Sequence, residues 1–148
     1  MEEKRYEHSR GKDVFNYEFE SEGPKGLVRK GIRFNLMAGL PFKVYNVGFG
    51  DWDTECNDLN DSVITNNADK QEVLSTVAVA ILEFIQAHPD AFIYAEGNTP
   101  PRTRLYQMAI SSSYADISKL FVIIGRNKGR WFPFSKGVNY DAFLAWKK

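Results

Sequence analysis

The chain has 148 residues, 43% of them hydrophobic, 26% charged and 14% aromatic, which excludes a disordered chain and fits one domain over residues 1–148. Nineteen Lys+Arg balance nineteen Asp+Glu, so a wholly basic nucleic-acid coat or a wholly acidic mimic is disfavoured. No run approaches the roughly 18 to 20 apolar residues of a membrane-spanning helix. The charged start Met1-Glu2-Glu3-Lys4-Arg5-Tyr6-Glu7-His8 is followed by no apolar signal core, and the lone Cys56 allows no internal disulfide or cysteine zinc site. The expectation is a cytoplasmic protein with no membrane contact.

In chain order, Val14-Phe15-Asn16-Tyr17-Glu18-Phe19-Glu20 alternates with period two and ends at the turn signal Glu22-Gly23-Pro24-Lys25-Gly26. A hairpin partner follows over 28–36, with Val28, Ile32, Phe34 and Leu36 on one face, Lys30 the exception there, and Arg29 and Arg33 on the other. Phe42 to Phe49 reads as a third strand, and Asp61 to Thr65 as a short returning edge strand. Asn66-Asn67-Ala68-Asp69 supplies helix-start oxygens. The helix they open is apolar on more than one stripe (Val73, Leu74, Val77, Ala78, Ala80, Ile81, Leu82, Phe84, Ile85), which predicts packing between other elements. His88-Pro89-Asp90 stops it, and Ala91 to Ala95 forms a strand.

Thr99-Pro100-Pro101 starts a second helix, with Thr99 as cap and proline tolerated in the first turn, and that helix ends near Tyr114. Leu120 to Gly125 is a buried strand, Asn127-Lys128-Gly129 a hairpin turn and Arg130 to Phe134 the partner. Tyr140 to Trp146 closes the chain as a short strand or turn. The predicted fold is α+β, a mostly antiparallel sheet with two helices in the order β-β-β-(β)-α-β-α-β-β.

Charge is unevenly placed. Residues 97–148 hold nine basic residues against Asp116 and Asp141, a net of +7, so the remainder carries −7. The two poles either neutralise each other within the fold or leave the basic one free for an anionic partner such as phosphate or RNA. The sharpest feature is the junction from Tyr94 to Tyr106. Helix first turns favour Asp and Glu, yet this one carries Arg102 and Arg104, and Arg102 stands where a capping box has Glu or Gln.

An anion held by donors of Gly97, Asn98 and Thr99, with Arg102 and Arg104 beside it, resolves that conflict. Projected at about 100° per residue, Arg102 lies roughly 60° from the centre of the apolar face and Arg104 about 100° away on the opposite shoulder. Tyr106, one turn after Arg102, is placed to stack on the same ligand. The alternative is that Arg102 pairs with Glu96 or with the acidic loop and holds the junction together.

Other chemistry finds no motif. The carboxylates from Asp51 to Asp58 fail as a calcium loop, because Cys56 and Ser62 occupy the positions that need Gly and Glu. His8 and His88 read as solvated or structural. No catalytic motif, metal site or cofactor signature is visible. Trp131, Phe132, Phe134, Tyr140, Phe143 and Trp146 crowd the basic third; most read as core, and any left exposed would suit stacked bases or a homodimer edge.

The segments Val73-Leu74-Ser75-Thr76-Val77-Ala78, Gly97 to Tyr106 and Lys136 to Leu144 resemble an uncharacterised domain-of-unknown-function family of Bacteroidota, of about 150 residues. The resemblance covers nearly the whole chain. It implies a stand-alone cytoplasmic bacterial protein and supplies no activity. The functional expectation is a phosphate-, anion- or RNA-binding module built on Gly97, Asn98, Thr99, Arg102, Arg104 and Tyr106. Its rival is a protein–protein module, a homodimer or a toxin–antitoxin-like component, without catalysis.

Overall fold

The computed structural model describes residues 6–9, 14–53, 55, 58–60, 70–97 and 99–148. Strands β1 (Tyr6–Ser9), β2 (Val14–Gly23), β3 (Gly26–Leu36), β4 (Val44–Asp53) and β5 (Asp58–Asn60) precede helix α1 (Lys70–Ala87). Then come β6 (Phe92–Ala95), α2 (Pro100–Ser112), α3 (Tyr114–Leu120), β7 (Phe121–Asn127), β8 (Arg130–Pro133) and β9 (Ala142–Lys147). Among the described residues the strands form one sheet in the order β1-β2-β3-β4-β6-β9-β7-β8, with β5 on β4. Of the described strands, only β4 and β6 pair in parallel. The fold is α+β with a mostly antiparallel sheet.

Among the described residues three helices are present where two were expected. The second helix does not run on: the Ser113 N–H bonds back to Ile110 and Ser111, and the chain restarts as α3. Seven residues with only Ile117 buried leave no apolar stripe to read from sequence. At the N-terminus β1, a strand absent from the predicted element order, pairs with β2. The closing segment becomes β9, an inner strand between β6 and β7. The third strand starts at Val44 and runs on to Asp53, so Asp51 and Asp53 belong to a strand and not to a loop. The expected edge strand at 61–65, the helix-start signal at 66–69 and Cys56 lie outside the described residues.

The β2–β3 hairpin follows the predicted alternation. Tyr17, Phe19, Ile32 and Phe34 are buried on one face, joined across the register by Val47 and Phe49 of β4. Lys30 shares that face, fully buried, with its ammonium 2.9 Å from Asp51. On the other face Arg33 bonds Asn16 and Asp58, and Arg29 lies 3.7 Å from Glu18. Helix α1 covers the apolar face, where Phe84 stacks on Phe34 at 4.0 Å between ring centres. It keeps one exposed strip, Glu72, Ser75, Val79, Glu83 and Gln86, and so is a covering helix and not one sandwiched between layers. The His88 ring nitrogen bonds the Phe84 carbonyl, a structural role.

The β7–β8 hairpin turns through Lys128 and Gly129, both at positive φ (52° and 80°). A two-residue turn of this kind matches the twist of the strands it joins. Of the aromatics that follow, Phe134 is buried, whereas Trp131 and Phe132 stay exposed because β8 is an edge strand.

Candidate functional site

The site forms where the sheet divides. On the side of β4 away from β3, β6 pairs with Val44 to Asn46 and β5 with Asp51 to Asp53. Between them, no described strand pairs with residues 47–50 on that side. Buried carbonyls without partners cost about 1 to 3 kcal/mol each, and α2 supplies the partners: the Tyr106 hydroxyl donates to the Val47 carbonyl at 3.1 Å, and the Arg102 guanidinium donates to that of Phe49. Both side chains are buried. The Phe49 ring packs against both, 5.5 Å from the Arg102 guanidinium carbon and edge-on to Tyr106 at 5.2 Å. Side chains of a helix thus close the edge that a strand would otherwise cover.

Most of the described donors at the N-terminus of α2 bond within the chain. Pro100 and Pro101 occupy its first two positions and have no N–H. The Arg102 N–H goes to the Thr99 hydroxyl at 3.3 Å and that of Thr103 to the Thr99 carbonyl at 3.1 Å. The Gly97 N–H is taken by the Thr103 hydroxyl at 3.0 Å. The backbone donors of Gly97, Arg102 and Thr103 are therefore engaged within the chain, and Asn98 lies outside the described residues. Gly97 lies directly on the first turn, since a Cβ there would come 2.4 Å from the Thr103 nitrogen.

Two clefts meet at this junction. One, of about 350 Å³, is lined by Asn46, Gly48, Tyr94, Glu96, Gly97, Arg102 and Tyr106. The other, of about 330 Å³, holds Thr99, Thr103, Arg104, Gln107 and Asn139 and shares Glu96 and Gly97 with the first. Arg102 and Arg104 thus face different clefts, as the helical projection predicts. Tyr106 is occupied in the core by its ring and at Val47 by its hydroxyl.

A network that sequence reasoning missed lies between the clefts. Arg126 donates to Asp141 at 2.6 Å, approaches Glu96 at 3.3 Å, bonds the Tyr94 hydroxyl at 3.2 Å and sits over the Trp131 ring. The hydrogen bond from Arg126 to Asp141 raises its pKa further above the ordinary value. Glu96, the partner suggested for Arg102, is engaged by Arg126 and by the Tyr94 hydroxyl. The signal for this cluster is weak in sequence, because β6, β7 and β9 bring its members together across up to 47 positions of chain (94 to 141).

Burial first, and then the hydrogen bond to Glu96, raise the Tyr94 phenol above the usual tyrosine range, against the opposing pull of Arg126. The proton is held more tightly in the folded protein, so this contribution to stability is complete below the unfolded value of about 10 and is lost as the pH rises through the folded one. Carbon NMR of labelled tyrosine should show Tyr94 titrating above about 10, with Glu96→Gln lowering the midpoint. A midpoint at or below the ordinary value would contradict the contact.

No helix among the described residues is long and apolar enough to cross a membrane. Neither the curated proteins nor the solved structures yield a match to this chain. The profile of a family of unknown function, DUF6934, does match, over residues 2–148. From end to end, then, the chain belongs to the DUF6934 family.

Proposed function

We propose that this protein is a binding module for a ligand with a phosphate or similar anionic group, seated at the division of the sheet beside Gly97 and gripped by Arg104. The observation that supports this reading is the charge balance at the junction. Among the described residues, three arginines, Arg102, Arg104 and Arg126, meet two carboxylates, Glu96 and Asp141, at these clefts, and both carboxylates are drawn to Arg126. Arg104 is exposed on the cleft wall and makes no ion pair among the described residues. A guanidinium so placed suits the paired oxygens of a phosphate. The grip comes from side chains, since the backbone donors of Gly97, Arg102 and Thr103 are engaged within the chain. A bacterial cytoplasmic setting belongs to this reading.

Calorimetric titration with a nucleoside 5′-monophosphate and with inorganic phosphate tests it. Arg104→Ala, an exposed change that leaves the fold intact, is expected to weaken binding about tenfold, the equivalent of one good charged contact. Absence of binding to either probe, or equal affinity in the variant, would remove the reading.

A further inference from the structure

The sheet has a second face, and over β6, β9 and β7 no described element packs across it. In β6 and β7 the alternate residues Ile93, Ala95, Phe121 and Ile123 are buried under the helices, whereas Phe92, Tyr94, Val122 and Ile124 on the reverse remain partly exposed. No described element covers them. The reverse face is aromatic: Phe42, Phe92 and Trp146 form a row at 5.5 Å spacings, and Tyr94 meets Trp131 at 6.4 Å. Phe42 is 60% exposed and Trp131 39%.

Cations flank these rings. Lys128 lies in the turn before Trp131 and Lys148 follows two positions after Trp146, whereas Lys43 and Arg130 alternate onto the helix-covered face with Tyr45 and Asn127. Lys128 and Lys148 are exposed and neither makes an ion pair among the described residues. Asp90, in the turn before β6, is the acid beside Phe92 in sequence, while Glu96 and Asp141 at the other end are drawn to Arg126. Tyr94 belongs both to this face and to the cleft of Arg102, so the two surfaces are continuous.

We infer that the reverse face of β6, β9, β7 and β8 binds single-stranded RNA, its bases stacked on the aromatic rings and its phosphates beside Lys128 and Lys148. Exposed rings on an open sheet and a basic rim are the two features that single-stranded recognition needs. A second copy of the chain fits less well. The free edge of β8 carries Arg130 and Pro133, residues that discourage strand addition. The inference rests on the cleft reading for its anchoring phosphate and extends it to a polymer.

The test is fluorescence anisotropy with a ten-nucleotide oligouridylate at low and physiological salt, beside calorimetry with the mononucleotide. The oligomer is expected to bind more tightly than the mononucleotide and to weaken with salt. Phe42→Ala, remote from the cleft, should cost the oligomer roughly tenfold and leave the mononucleotide unchanged, and Lys128→Ala should reduce the salt slope. An oligomer no tighter than the mononucleotide, or indifferent to both Phe42→Ala and Trp131→Ala, overturns the RNA inference while the cleft reading stands. Failure of both probes overturns both. A dimer in light scattering that Trp131→Ala dissociates assigns the face to a second copy and also overturns the inference.

Discussion

Arg102→Ala should lower the unfolding free energy by roughly 2 to 4 kcal/mol, as read by urea denaturation. The substitution leaves the Phe49 carbonyl without its guanidinium donor, empties the space against the Phe49 ring and removes a buried side chain that spans helix and sheet. Cavity and lost hydrogen bond act together, which places the effect above that of an ordinary surface arginine. Tyr106→Phe keeps the ring and loses only the bond to Val47, so about 1 kcal/mol is expected. An Arg102→Ala protein within about 0.5 kcal/mol of the parent, the range of neutral surface changes, would contradict the structural role. Because Arg102 holds the fold, Arg104 is the better probe of ligand binding.

The second large effect is at Gly97. An alanine methyl there would meet the Thr103 nitrogen at 2.4 Å and the Arg102 carbonyl carbon at 2.7 Å, both backbone atoms that cannot swing aside. The first turn of α2 must move away from β6, and the bonds between Gly97 and Thr103 must stretch or break. A loss of about 2 to 4 kcal/mol is expected from overpacking and a lost hydrogen bond together. Thermal unfolding measures the cost, and amide hydrogen exchange should locate the loosening in the first turn of α2. A variant as stable as the parent, with unchanged exchange there, would show that the junction is not tightly packed.

The two substitutions mark where the sequence is legible and where it is not. Local pattern suffices for the β2–β3 hairpin, since Phe15, Tyr17 and Phe19 alternate and a turn signal follows. It also suffices for the start of α2, where Thr99 caps and two prolines follow. Those prolines already imply a terminus short of N–H donors, so the weakness of a backbone anion cradle is readable at that point. The fate of Arg102 is not. It depends on where β6 and β5 stop along one edge of β4, and the β6 pairing joins residues 48 positions apart in sequence. A guanidinium in a first turn looks the same in sequence whether it meets a phosphate or a strand carbonyl.

The same reasoning explains the missed network. Glu96 and Arg126 are 30 positions apart in sequence and become neighbours only because the last strand, β9, enters the sheet between β6 and β7. A C-terminal segment short enough to read as a turn gives no hint of an inner strand. Lys30 is a similar case: it breaks the apolar alternation of β3, and the structure offsets the burial of its charge with Asp51, which reads as part of an acidic loop. Alternation identifies the face, but the partner comes from register.

The most direct test of the division in the sheet as a ligand site is an amide NMR titration with a nucleoside 5′-monophosphate. Binding at the clefts predicts that the largest shifts fall on Gly97, Thr103, Arg104 and Asn139, with those of β1 and β2 unmoved. Saturable shifts confined elsewhere, or none up to millimolar ligand, the range of weak binding on the affinity scale, would contradict the account.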